Sequence, residues 1–249
     1  METKMKTKAF HAFEQKLIYF ADDLDLIDVV RTGIIANELT DKRSNHALRH
    51  VDVKKHKSLA RRQNRDGTRV LLINHLRSTL YAAYIKDVYE EVTHYLRTIL
   101  KRAAENGFSA GRIIGEHSTK LDAKVILAAG TWEAVVKVIA DGVFQALEAE
   151  QSTLNLFEKI SKKLALNVDE AKIQKALPYL EVRHFLVHTD GRLANDFMKK
   201  YPHIKHKNGV VQLDYAFIKK FQTSVTALIA AFDDKVVSKN ILAYICLQP

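Results

Sequence analysis

Apolar residues recur at steps of three and four along most of this chain, which is the pattern of amphipathic helices. The clearest pattern predicts one long helix over residues 68–104, with Asn106-Gly107 as its C-terminal stop. Its apolar stripe consists of Ile73, Leu76, Leu80, Tyr84, Val88, Val92, Tyr95 and Ile99. The same periodicity predicts further helices over residues 8–38, 132–150, 152–166, 170–188 and 214–237. Asn208-Gly209 predicts a tight turn that closes a small β-hairpin between His206 and Leu213.

Turn-forming residues are scarce, since the chain of 249 residues has 9 Gly and 3 Pro. Folds rich in β-sheet need such residues at short intervals. Hydrophobic residues make up 47% of the chain, which is enough to bury a core. We therefore expect an all-α protein, in which four or five long helices form a bundle.

Positive charge is concentrated near the N-terminus. The formal net charge is +10, and residues 42–69 hold ten Lys and Arg against two acidic residues. This composition predicts an N-terminal helix and basic arm over residues 1–66, followed by a helical bundle over residues 67–249. Because Lys and Arg bind phosphates, the arm is a candidate RNA-binding segment, although a solvated linker is the alternative. Its candidate RNA-binding residues are Lys54, Lys55, Lys57, Arg61, Arg62 and Arg65.

The cellular compartment is also indicated by composition. Cys246 is the only cysteine, so the chain cannot form an internal disulfide. The N-terminus lacks the apolar region of a secretion signal, and no apolar run is long enough to cross a membrane. We expect a cytoplasmic protein without a membrane partner.

Residues 179–192 carry the most informative chemistry. Arg183 and His188 lie near the end of a predicted apolar helix, and Asp190-Gly191 follows as a stop. A histidine can accept the proton of a ribose 2′-hydroxyl, and an arginine can stabilise the charge that develops on the attacked phosphate. The spacing alone is weak evidence, because five Arg–His pairs have four to six intervening residues: Arg43/His50, Arg49/His56, Arg69/His75, Arg112/His117 and Arg183/His188.

The segment RHFLVHTDGR, residues 183–192, resembles the Arg-x(4–6)-His motif of the HEPN superfamily. The resemblance to the family's helical domain covers about residues 67–237. The resemblance implies a HEPN-like bundle of four or five helices with an N-terminal extension, and Arg183 and His188 as catalytic residues. It further implies RNA cleavage without metal or cofactor, a homodimer with a composite site, and a role as a toxin or in antiphage defence. An antitoxin or another defence-system partner would fit that role. The residue after the family's Arg is often a small polar one, whereas here it is His184.

A helical wheel adds a geometric expectation for this motif. At about 100° per residue, Arg183 and His188 point about 140° apart on a straight helix. We therefore expect that the helix opens near His188, or that a second copy of the chain completes the site.

Several alternatives stay open at this stage. His184 lies on the apolar stripe of its helix and is either a core histidine or a supporting residue of the site. Glu181 either supports Arg183 or is a solvated surface charge. His184 and His188 also have the i,i+4 spacing of helical zinc ligands, but no third ligand is evident. The alternative function is a non-catalytic module that dimerises and binds RNA or protein.

Overall fold

A computed structural model describes residues 5–39, 45–115, 122–149 and 152–249 of the protein. The chain is predominantly helical, which confirms the predicted all-α class. In chain order the elements are β1 Lys6–Thr7, α1 Lys8–Ile35, α2 Lys57–Ala60, α3 Asp66–Glu105, α4 Ala110–Ile114, α5 Ala123–Ala129, α6 Trp132–Ala149, α7 Thr153–Lys163, α8 Glu170–His188, α9 Asn195–Lys200, β2 His206–Lys207, β3 Val210–Val211, α10 Tyr215–Ser238, a 3₁₀ turn Tyr244–Cys246, and β4 Leu247–Gln248.

The helices α1, α7, α8 and α10 are each capped at the N-terminus by the side chain of the residue that precedes the helix. The side chains of Thr7, Ser152, Asp169 and Asp214 each accept a hydrogen bond from a backbone N–H in the first turn of α1, α7, α8 and α10. These N-caps satisfy backbone groups that have no partner within the helix. The short strands β2 and β3 pair antiparallel around Asn208-Gly209, which confirms the predicted hairpin.

The long helix α3 forms the centre of the bundle. Its side chains pack against α1, α6 and α8, and the residues that face them are almost completely buried. Arg31 of α1 donates to the Asn74 side chain near the start of α3, while Phe10 of α1 packs against Tyr95 near its end. The two helices are therefore antiparallel.

α1 lies on the N-terminal side of the domain boundary predicted at residue 66, yet it packs along α3. Its buried residues, which include Phe13, Leu17 and Leu24, belong to the same apolar cluster as those of α3 and α10. The periodicity of α1 predicted its helical state, whereas the surface that it covers depends on tertiary packing.

A buried polar group fastens the N-terminus to the bundle. Asp233 of α10 is 2% exposed and accepts hydrogen bonds from the backbone N–H of Thr7 at 2.9 Å and from its hydroxyl at 2.5 Å. The hydroxyl of Tyr95 donates to the same carboxylate at 3.0 Å. Burial raises the pKa of Asp233, while these hydrogen bonds oppose the shift. β1 also pairs antiparallel with β4, so both ends of the described chain meet here.

The basic segment that we expected as an arm is a closed loop in its described part. The backbone N–H of Ala47 donates to Arg62, and that of Asn64 donates to Asn45, so the two ends of the loop are held together. Ala47, within this loop, is buried. Lys42 and Arg43, which the predicted arm also included, lie outside the described residues.

Within the described ranges, no helix is both long enough and apolar enough to cross a bilayer.

Candidate active site

The residues of the predicted motif line a cavity of about 470 Å³ between four helices. α8 provides Leu180, Arg183, His184 and His188, which form one wall. The other walls come from Tyr89 of α3, Leu147 and Glu148 of α6, and Ser152, Thr153 and Leu156 at the start of α7. The cavity therefore has an apolar floor and a polar rim that carries an arginine and two histidines.

The packing of α8 determines which of its residues reach the cavity. Residues 176–180 are buried in the bundle, whereas His184 and His188 are exposed. After His188, the backbone N–H groups of Thr189 and Gly191 both donate to the Phe185 carbonyl and end the helix. Gly191 has a φ of +79°, a conformation that a residue with a side chain rarely adopts. This stop fixes the position of His188 at the cavity rim.

The guanidinium of Arg183 lies over the ring of Tyr89, with its Cζ atom 4.9 Å from the ring centroid. This contact is a cation–π interaction between α8 and α3. Arg183 is half-buried, and its enclosed Nε has no hydrogen-bond partner among the described residues. The Nε atoms of Arg69, Arg77 and Arg97 are likewise enclosed without a partner among the described residues, so this feature is not specific to the cavity.

The two histidines His184 and His188 also line the cavity and lie next to each other. Their ring centroids are 4.7 Å apart and their planes are inclined by 47°. The interpretation of His184 as a core histidine is wrong, because its side chain is exposed and lines the cavity. The stripe to which it belongs is buried at Leu180 and emerges at the rim one turn later.

The helical wheel predicted that the helix opens near His188 or that a second copy of the chain completes the site, and α8 ends at His188. Arg183 and His188 both line the same cavity in one chain. The Arg183 guanidinium lies over the ring of Tyr89 at the same cavity. A second copy of the chain is therefore not needed to bring the two groups together, and the homodimer stays a prediction.

The walls from α6 and α7 modify the charge of the cavity. Glu148 forms a salt bridge with Arg97 at 2.9 Å, which balances its negative charge. The start of α7 opens at the cavity through Ser152 and Thr153, and the positive end of a helix dipole favours negative groups. Sequence reasoning missed Tyr89, Glu148 and Ser152, because nothing local in their patterns relates them to α8.

Glu181 does not lie with the other motif residues. It is on another side of α8, beside Lys200 and Tyr201, and is not part of the cavity lining. Burial raises the pKa of Glu181, and the nearby Lys200 charge opposes that shift. The expectation that Glu181 supports Arg183 is not met by this placement.

The six candidate RNA-binding residues of the basic loop are all exposed. They lie far from the cavity, because the loop precedes the first residue of α3 whereas Tyr89 lies in the second half of that helix. Among the residues that the structure describes, no group of three His, Cys, Asp or Glu side chains is placed to hold a metal ion.

Comparison with protein-family models, with curated proteins and with solved structures found no match for this chain.

Proposed function

We propose that this protein is a metal-independent endoribonuclease whose active site is the cavity between α3, α6, α7 and α8. The observation that carries the proposal is that Arg183, His184 and His188 line one accessible cavity. A permanent cation and two imidazoles can supply the charge stabilisation, the general base and the general acid for cleavage of RNA by its own 2′-hydroxyl.

In the proposed reaction, His188 removes the proton from a ribose 2′-hydroxyl. The 2′-oxygen then bonds to the adjacent phosphorus, and the bond from phosphorus to the 5′-oxygen breaks. His184, in its protonated form, donates a proton to the leaving 5′-oxygen. The products are a 2′,3′-cyclic phosphate and a free 5′-hydroxyl, and the nucleophile belongs to the substrate. The 4.7 Å between the rings lets one phosphodiester linkage lie against both imidazoles.

Arg183 has the electrostatic role in this reaction. Its guanidinium donates to the non-bridging phosphate oxygens and stabilises the additional charge of the transition state. The contact with Tyr89 holds the side chain in place before substrate binds, so less of its conformational freedom is lost on binding. Removing one such donor from an enzyme typically lowers kcat by about 10²–10³.

The resemblance of the segment around Arg183 and His188 to the HEPN motif supports the same proposal. It extends the proposal to a HEPN-like homodimer and to a role as a toxin or in antiphage defence, with an antitoxin or defence-system partner. The all-α bundle and the position of the motif at the end of a long helix agree with that resemblance.

The test is RNA cleavage by purified protein in the presence of a metal chelator. Arg183→Ala should lower the cleavage rate by about 10²–10³ and His188→Ala by about 10²–10⁴, and His184→Ala should also reduce it strongly, while far-ultraviolet circular dichroism stays unchanged. Matched controls are His75→Ala and Arg102→Ala, which alter an exposed histidine and an exposed arginine of α3 outside the cavity. Cleavage at the wild-type rate in both Arg183→Ala and His188→Ala, or cleavage that depends on added metal, would refute the mechanism.

A non-catalytic RNA-binding module is the second candidate function. The observation in its favour is that the exposed cations of the basic loop lie away from the cavity, so the loop can bind RNA independently of any chemistry. This function predicts RNA binding that is weakened by salt, without fragments in the same chelator assay.

A further inference from the structure

We propose that the basic loop is a second RNA-binding site, separate from the cavity, and that the protein selects RNAs long enough to reach both. This inference rests on the proposed function. It concerns substrate length, which the proposed chemistry does not determine.

The loop, residues 45–65, has an ordered backbone, and its six candidate RNA-binding residues are exposed to solvent. Residues 45–65 contain seven Lys and Arg and one acidic residue, a net charge of +6. The acidic residue, Asp52, is turned to the backbone, where its carboxylate accepts the N–H groups of Lys54 at 2.8 Å and Lys55 at 3.0 Å. These backbone hydrogen bonds lower the pKa of Asp52. The neighbouring lysine side chains are therefore left to face solvent.

Hydrogen bonds also fix the loop against the start of α3. The pairing of His46 with Gln63 closes its two ends, and Arg69 of α3 is 5% exposed and bonded to the side chains of Asn64 and Asp66. Because the ends are held, the cations stay near the N-terminal end of α3.

The length of α3 determines the separation of the two sites. Arg65 precedes the helix, and Tyr89, which lines the cavity, is 24 residues farther along. At 1.5 Å per residue this corresponds to about 36 Å. A stacked nucleic-acid strand advances about 3.4 Å per nucleotide, so about ten nucleotides would span the distance. A tetranucleotide that occupies the cavity cannot reach the loop.

An RNA that reaches both sites gains affinity because the second contact is intramolecular. The loop contributes phosphate contacts without base recognition, since residues 45–65 contain no aromatic side chain other than histidine. We therefore expect the loop to increase the affinity for long RNAs, with little dependence on their sequence.

The experiment compares two RNA lengths, a tetranucleotide and an oligonucleotide of about 20 nucleotides. Cleavage is measured with RNA, and binding is measured with 2′-O-methyl versions, which cannot be cleaved through the 2′-hydroxyl. The loop variant replaces four cations with glutamine but spares Arg62 and Arg65, whose backbones hold the loop and the start of α3. The substitutions are Lys54→Gln, Lys55→Gln, Lys57→Gln and Arg61→Gln. A control variant removes the same charge from exposed lysines elsewhere: Lys8→Gln, Lys16→Gln, Lys172→Gln and Lys235→Gln.

For the wild-type protein, the long RNA should be cleaved with a higher kcat/KM than the tetranucleotide. In the loop variant this ratio should fall about tenfold or more, and the slope of log affinity against log salt should decrease by about 3. The control variant should keep the wild-type ratio. An equal effect of the loop variant on both lengths, or no effect on the long RNA, would overturn the inference. Loop-dependent binding without any cleavage would instead refute the nuclease function and leave the second binding site intact.

Discussion

The contact between Tyr89 and Arg183 gives a direct test of how the cavity is organised. Arg183 is half-buried, and its Cζ lies 4.9 Å from the Tyr89 ring centroid. Cation–π contacts contribute about 0.5–1 kcal/mol at exposed sites and about 2 kcal/mol when desolvated, so about 1 kcal/mol is expected here. If that energy positions the guanidinium for the transition state, its loss lowers kcat/KM about fivefold.

The perturbation is Tyr89→Leu, which keeps apolar bulk but removes the aromatic ring. Tyr89→Phe is the matched control, because it retains the ring and removes only the hydroxyl. We expect kcat/KM to fall about fivefold in Tyr89→Leu. In Tyr89→Phe it should stay within about twofold of wild type, because the ring contact is preserved. The assay is cleavage of a short RNA at a temperature well below the unfolding midpoint of each variant, which urea unfolding establishes.

A double-mutant cycle separates positioning from a general effect on folding. In an Arg183→Ala background, Tyr89→Leu should have no further effect on residual activity, since the group that it positions is gone. The reasoning is refuted if Tyr89→Phe loses as much activity as Tyr89→Leu. It is also refuted if Tyr89→Leu lowers activity equally with and without Arg183.

Three further predictions concern stability. Asp233→Ala should lower the free energy of unfolding by about 3 kcal/mol, because Thr7 and Tyr95 lose a buried charged acceptor. A loss below about 1 kcal/mol in urea unfolding would contradict this prediction. Burial raises the pKa of Tyr81 from 10.0 to about 12. The fold favours the protonated phenol, so the stability that this group contributes should be complete below pH 10 and lost as the pH rises towards 12. An unfolding free energy that falls equally in wild type and in Tyr81→Phe over this range would disprove it. Gly191→Ala should cost about 1 kcal/mol in urea unfolding because φ is +79°, whereas unchanged stability would show that the site tolerates a side chain.

The helices could be predicted from the sequence because their signal is local. The stripe that predicted a helix over 68–104 corresponds to α3, Asp66–Glu105, and the pattern over 8–38 corresponds to α1, Lys8–Ile35. Many residues of such a stripe lie on the same buried face of the helix, so a polar residue at one position does not change the predicted helix. The short helices α2, α4, α5 and α9 have at most seven residues, which is too few to establish a period.

The candidate site could be predicted only along α8. Arg183 and His188 were identified from the chemistry and context of one segment, but the Tyr89 contact depends on how two helices separated by about ninety residues pack together. For the same reason the sequence left open whether His184 lies in the core or at the site. Leu180, one turn before His184 on the same stripe, is buried, whereas His184 is exposed. The sequence does not show that burial along α8 ends between Leu180 and His184.

Tertiary structure also separates the motif pair from the other four Arg–His pairs of similar spacing. In the pair Arg69/His75, the arginine is buried and bonded to Asn64 and Asp66, so it serves the start of α3.

The pair Arg49/His56 lies in the basic loop, where Nδ1 of His56 accepts the backbone N–H of Asp52. The pairs Arg43/His50 and Arg112/His117 each include a residue outside the described ranges. In Arg183/His188, by contrast, both members line a shared cavity, and the Arg183 guanidinium lies over the ring of Tyr89. All five pairs have four to six intervening residues, so the support for catalysis at Arg183 and His188 comes from this convergent geometry and not from the motif alone.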